Sequence, residues 1–137
     1  MSLVGGAHAP GRRALVAGAL LMALATAVGA LGTHALKATL TADRYGVLQT
    51  AVLFQFLHAL GLLFIGVRLA QRVDRVLCLA GDLLLAGVLL FSGSLYALLG
   101  GAPRAIGLLT PLGGLCLIVG WCVAAIALLR ARESPVP

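Results

Sequence analysis

Charge is the scarcest property of this sequence. Only 10% of its 137 residues are charged, Asp and Glu together number four, and aromatic residues make up 5%. A water-soluble domain carries about 25% charged residues, so this chain lacks the polar side chains to cover a surface facing water. Close cysteine pairs are missing too. Cys78, Cys116 and Cys122 lie far apart or within apolar stretches, which excludes a disulfide scaffold and a zinc or redox motif. His34 and His58 offer too few ligands at fixed spacing for a metal site. No Walker loop, GxGxxG, GxSxG or HExxH string occurs. With no nucleophile–base pair either, no cofactor is implied and an enzyme is not expected.

Apolar residues fill the space left by charge. They make up 61% of the chain, and mean hydropathy is +1.10. A helix needs roughly 20 mostly apolar residues to cross about 30 Å of hydrocarbon. Four stretches qualify, at about 14–35, 47–67, 76–99 and 106–129. In lipid every backbone amide needs an internal partner. The runs are continuous rather than alternating, which excludes barrel strands. The expected fold is all-α, a single integral membrane four-helix bundle over residues 1–137. Short links at 68–75 and 100–105 make neighbouring helices antiparallel. The longer link at 36–46 reads equally well as a short interfacial helix or an irregular loop. Pro111 should start or kink the fourth helix near its outer end.

The basic residues set an orientation. Arg12, Arg13, Arg68, Arg72, Arg75, Arg130 and Arg132 fall on one side of the spans, against Lys37, Arg44 and Arg104 on the other. The positive-inside rule then puts both termini in the cytoplasm. The net charge of +6 is thus a matter of topology, and membrane lipid, not nucleic acid, is the expected partner. Ala25-Thr26-Ala27 resembles a signal-peptidase site, but the apolar run continues to about Ala35, so the segment is expected to remain as a span.

Eighteen glycines exceed the usual share of about 7%, and most lie in the spans. Gly18, Met22, Ala25, Gly29 and Gly32 form a thin stripe on the first helix. Gly81, Gly87 and Gly93 mark the third, and Gly107, Gly113, Gly114 and Gly120 the fourth. Small residues allow close helix approach in lipid. The stripes suit packing within the chain, or a face for a second copy or a larger membrane complex.

Polar residues within the membrane are costly and point to sites. Counting about 1.5 Å of rise per residue places them by depth. His34 ends the first span at the outer face, where Gln49 and Thr50 open the second. Gln55 and His58 lie deeper, on one face. Ser92, Ser94 and Tyr96 sit in the outer third of the third span and Thr110 in that of the fourth. Two readings stand. These groups join helices, or, as the leading functional expectation, Gln55, His58, Ser92, Ser94 and Tyr96 build an outward-opening pocket that binds or passes a small polar solute, the alternative function being a structural or accessory subunit docked to a larger membrane complex. Asp82, inside the third span, needs a partner, and Arg72 and Arg75 lie below it.

Four strings carry a resemblance: Gly29-Ala30-Leu31-Gly32-Thr33-His34-Ala35-Leu36, the run from Gln49 to Leu60 with Gln55 and His58 inside it, Leu90-Phe91-Ser92-Gly93-Ser94-Leu95-Tyr96, and Thr110-Pro111-Leu112-Gly113-Gly114, closing at Gly120-Trp121. In order and spacing they resemble the YgdD family, bacterial inner-membrane proteins classed as domain of unknown function 423. The resemblance implies four helices and no established activity. Its motif positions fall largely on the polar set above. Phe54 stands where the family usually has Tyr and Thr33 where Ala is usual. Asp82 lies outside the pattern.

Overall fold

In a computed structural model, residues 9–131 are described. Helix α1 spans Ala9–Leu31, α2 Ala42–Gln71, α3 Arg75–Leu99 and α4 Leu109–Ala131. All four are long and apolar enough to cross a membrane. At 30 residues α2 is about 45 Å long, so it outreaches the hydrocarbon, and its ends begin and finish among charged residues.

The links differ in part from expectation. After α1 the chain neither forms a separate interfacial helix nor wanders. It widens into a π-helical turn, Gly32–Leu36, with the Lys37 amide donating to the Gly32 carbonyl at 2.9 Å. Thr41 then caps α2, its hydroxyl accepting from the Arg44 amide. Asp74 caps α3 by accepting from the amides of Val76 and Leu77 at 2.8 and 3.1 Å. Such caps satisfy amides that a helix start leaves without partners. The turn into α4 is a short 3-10 segment, Arg104–Leu108, and Pro111 sits in the first turn of α4, where its missing N–H costs nothing. Among the described residues Gly101 alone takes a positive φ, +92°.

The helices pack as consecutive antiparallel pairs. α1 lies on α2, α2 on α3 and α3 on α4, while α1 barely meets α3 and, among the described residues, makes no close approach to α4. The bundle is therefore a curved row rather than a closed square. Its core joins Leu62, Ile65 and Leu69 of α2 to Leu77, Leu84 and Val88 of α3 and Leu117, Ala124 and Ala127 of α4.

Glycine sets the spacing of each outer pair. Along α1, Gly11 meets the backbone of Ala70, Leu15 meets Gly66, Gly18 meets Ala59 and Leu63, and Gly32 meets Leu48. Steps up α1 match steps down α2. A Cβ at Gly11 would lie 2.5 Å from the Ala70 amide nitrogen. Across α3 and α4 the same ladder recurs: Gly113 against the backbone of Phe91, Gly87 against Leu117, and Gly120 against Leu84. Of the stripe expected on α1, Gly18, Ala25 and Gly32 are buried.

The contrast between glycines gives a test. Gly113→Ala drives a methyl into the Phe91 backbone, which cannot step aside. It should destabilise the protein by about 1–3 kcal/mol. Gly93 has nothing within 4 Å of its Cβ direction, so Gly93→Ala should be neutral or stabilising by up to about 1 kcal/mol. Unfolding in bicelles, followed by circular dichroism, measures both.

Candidate functional site

Polar side chains in the half of the bundle where α2 begins meet between the helices, Gln55, Ser92 and Tyr96 at the junction of α1, α2 and α3. Gln55 projects from the buried face of α2 and is 2% exposed. Its Nε2 donates to the Leu21 carbonyl of α1 at 2.8 Å, and its Oε1 accepts from the Tyr96 hydroxyl of α3 at 2.8 Å. One amide thus bridges three helices. A turn nearer the outer end of α2, the Ser92 hydroxyl of α3 donates to the Ala51 carbonyl at 2.8 Å.

Between α3 and α4, Ser94 and Thr110 pair through their hydroxyls at 2.6 Å, and Ser94 lies 2.9 Å from the Phe91 carbonyl. A hydroxyl has one proton to give. Ser94 gives its proton to Phe91, so Thr110 is the donor within the pair.

His58 lies one turn below Gln55 on α2. Its Nδ1 donates to the Phe54 carbonyl at 2.6 Å. In a neutral ring that leaves Nε2 as the acceptor. The ring packs between Phe54, with centroids 5.8 Å apart, and Trp121 of α4, at 6.2 Å. Phe54 in turn stacks on Phe91 at 4.4 Å. Four rings from α3, α2 and α4 so form one row across the bundle. Phe54 has no hydroxyl and stacks on Phe91 on one side and His58 on the other.

The nine residues singled out by sequence do not converge on one cavity. Gln55, His58, Ser92, Ser94, Tyr96 and Thr110 join the network described above. His34 is exposed on the π-helical turn. Gln49 is exposed and lines a separate cleft of about 360 Å³ with Gly29 and Tyr45. The Thr50 hydroxyl bonds back to the Gly46 carbonyl of its own helix at 3.0 Å. A cleft of about 550 Å³ does open over Asp43, Thr50, Leu95 and Thr110, and Phe91 is part of its lining. Among the described residues no buried side-chain nitrogen or oxygen lacks a partner.

Three contributors carried no sequence signal as site residues. The Leu21 carbonyl is a backbone group that any residue type could supply. Arg44, read only as a loop charge, donates to the Leu99 carbonyl at 2.6 Å and ties α2 to the end of α3. Trp121 entered only as the close of a motif, and its spacing gave no hint of the histidine beneath it. Asp82 also differs from expectation. It lines a cleft of about 490 Å³ between α1 and α3 with Arg12, Arg13 and Cys78, and neither Arg72 nor Arg75 is part of that lining. The sparse contact between those two helices leaves that space open.

Four apolar spans, caps at interfacial depth and hydrogen bonds from helix to helix define a multi-pass α-helical membrane protein. The family model described as "Protein of unknown function (DUF423)" matches residues 28–114. A UPF0382 membrane protein of Staphylococcus epidermidis is 38% identical over 116 residues, 85% of this chain and 94% of that protein. The UPF0382 membrane protein YwdK of Bacillus subtilis is 36% identical over 118 residues, 85% and 95% of the two chains. The UPF0382 inner membrane protein YgdD of Escherichia coli is 33% identical over 110 residues, 80% and 84%. No solved structure matches. The chain belongs to this DUF423 family, as the motif strings anticipated, and its place is the bacterial inner membrane.

The amide bridge has a measurable worth. Tyr96→Phe removes one interhelical bond and should cost about 0.6 kcal/mol, and Gln55→Leu, which removes two, about twice that. In the double variant the Tyr96→Phe cost should vanish, because its partner is already gone. Thermal unfolding of the four proteins in one bicelle preparation closes the cycle.

Proposed function

We propose that this protein is a non-enzymatic structural or accessory component of the inner membrane, with both termini in the cytoplasm. It serves as a rigid four-helix unit beside a larger membrane assembly or a second copy of itself. The observation that carries this reading is the Gln55 bridge. Both ends of the Gln55 amide are bonded to neighbouring helices, α1 and α3, which supports a role in joining helices. Ser92 and Ser94 act in the same way. Polar groups in lipid commonly join helices like this, and an established pathway would need them turned to water.

A second reading is supported by the outer cleft over Asp43, Thr50 and Thr110. A small polar solute would be recognised there by the two hydroxyls and the carboxylate. Passage further inward would require Phe91, Phe54 and His58 to part.

Osmotic-shift light scattering separates the two. Vesicles holding the purified chain should equilibrate glycerol and urea no faster than empty vesicles. In native membranes the chain should migrate on native gels above the size it shows after full detergent purification. Faster equilibration that His58→Ala abolishes would establish permeation instead. For orientation, fusions at the C-terminus should be fluorescent with green fluorescent protein and inactive with periplasmic alkaline phosphatase, and the reverse pair of results would turn the topology over.

A further inference from the structure

At the end of the bundle opposite the Gln55 bridge, α2 and α4 finish and α3 begins. Between them lies a cleft of about 430 Å³. Arg68 from the last turn of α2, Arg72 at its C-cap and Arg130 at the end of α4 line it, and Leu77, Ala127 and Leu128 form its apolar wall. The acid in its lining, Asp74, is occupied: its Oδ1 accepts from two amides at the start of α3. Three guanidinium groups thus stand against one carboxylate, which is turned to the α3 amides and keeps its charge. All three arginines are exposed, and, among the described residues, no ion pair engages them.

We propose that this cleft binds the phosphodiester headgroup of an anionic phospholipid. The arginines hold the phosphate, and the acyl chains run along Leu77, Ala127 and Leu128 into the bilayer. Guanidinium forks suit phosphate oxygens, and basic pockets between transmembrane helices near the cytoplasmic surface take anionic headgroups. The apolar wall argues for a lipid rather than free phosphate, since an ion alone has no use for it. The neighbouring cleft at the same end is the natural contrast. It sets only Arg12 and Arg13 against Asp82, and so carries less excess positive charge for a phosphate. A plainer role for Arg68 and Arg130, complementing the carbonyl ends of α2 and α4, predicts a stability effect and no lipid preference.

Native mass spectrometry of the full chain in mild detergent, titrated with dioleoyl phosphatidylglycerol or dioleoyl phosphatidylcholine, tests this. Phosphatidylglycerol should bind at least about tenfold more tightly. Each arginine near an anionic surface contributes roughly fivefold, so R72Q/R130Q should weaken phosphatidylglycerol roughly 25-fold and leave phosphatidylcholine unchanged. R72K/R130K should stay within about threefold of wild type, because charge is kept. R12Q/R13Q, with equal charge removed from the same end, should stay within about twofold. If R72Q/R130Q does not fold, R72Q alone should still show roughly fivefold weakening. Equal losses in R12Q/R13Q, or no loss in the arginine variants of the cleft, would overturn the proposal. So would displacement of the lipid by millimolar inorganic phosphate, which would make the site one for the free ion.

Discussion

Hydrocarbon gives an apolar helix no reason to leave it. Burying leucine against leucine gains little when the alternative is leucine against an acyl chain. What remains is the closeness of approach, and in this protein glycine governs it. Gly11, Gly18 and Gly32 let α1 rest on α2, and Gly87, Gly113 and Gly120 let α3 and α4 meet backbone to backbone. The two ladders fix register along both outer pairs. The central pair has Gly61 and Gly81 against larger side chains, and it is there that hydrogen bonds take over.

Polar side chains are the second source of specificity. A glutamine in lipid must find partners, and this arrangement of helices offers Gln55 both a carbonyl and a hydroxyl. The bridge therefore selects the position of α1, which otherwise has little contact beyond α2. The aromatic row from Phe91 to Trp121 does the same for α4 against α2. Glycine brings the helices close, and these directional contacts say which helices and in which register.

Much of this was legible in the sequence. Hydropathy located four spans to within a few residues, since length and solvent leave an apolar run little choice. The small-residue stripe on α1 and the role of Pro111 followed from local geometry. Depth counting assembled Gln55, Ser92, Ser94 and Tyr96 correctly at one level. It could not say which way they faced. Rise gives depth, but rotation about a helix axis depends on partners, and the partner of Gln55 on α1 is the carbonyl of Leu21. For the same reason His34 and Gln49, grouped with the rest by depth, lie on exposed surfaces. Asp82 shows the limit in another form. Arg72 is nearer in sequence, but the α1 arginines line its cleft, because the approach of α1 is a tertiary fact.

Water is the quantity that decides whether the polar cluster joins helices or lines a path. Gln55 and Gln71 carry the same side-chain amide, one buried in the bridge and one exposed at the end of α2. Deuterium exchange of the two amides, followed by NMR in nanodiscs, compares them within one molecule. A dry, bonded bundle predicts that the Gln55 amide persists long after that of Gln71 has exchanged. Equal exchange at both positions would mean that water reaches the centre of the bundle, and the bridge would no longer account for how the helices hold together.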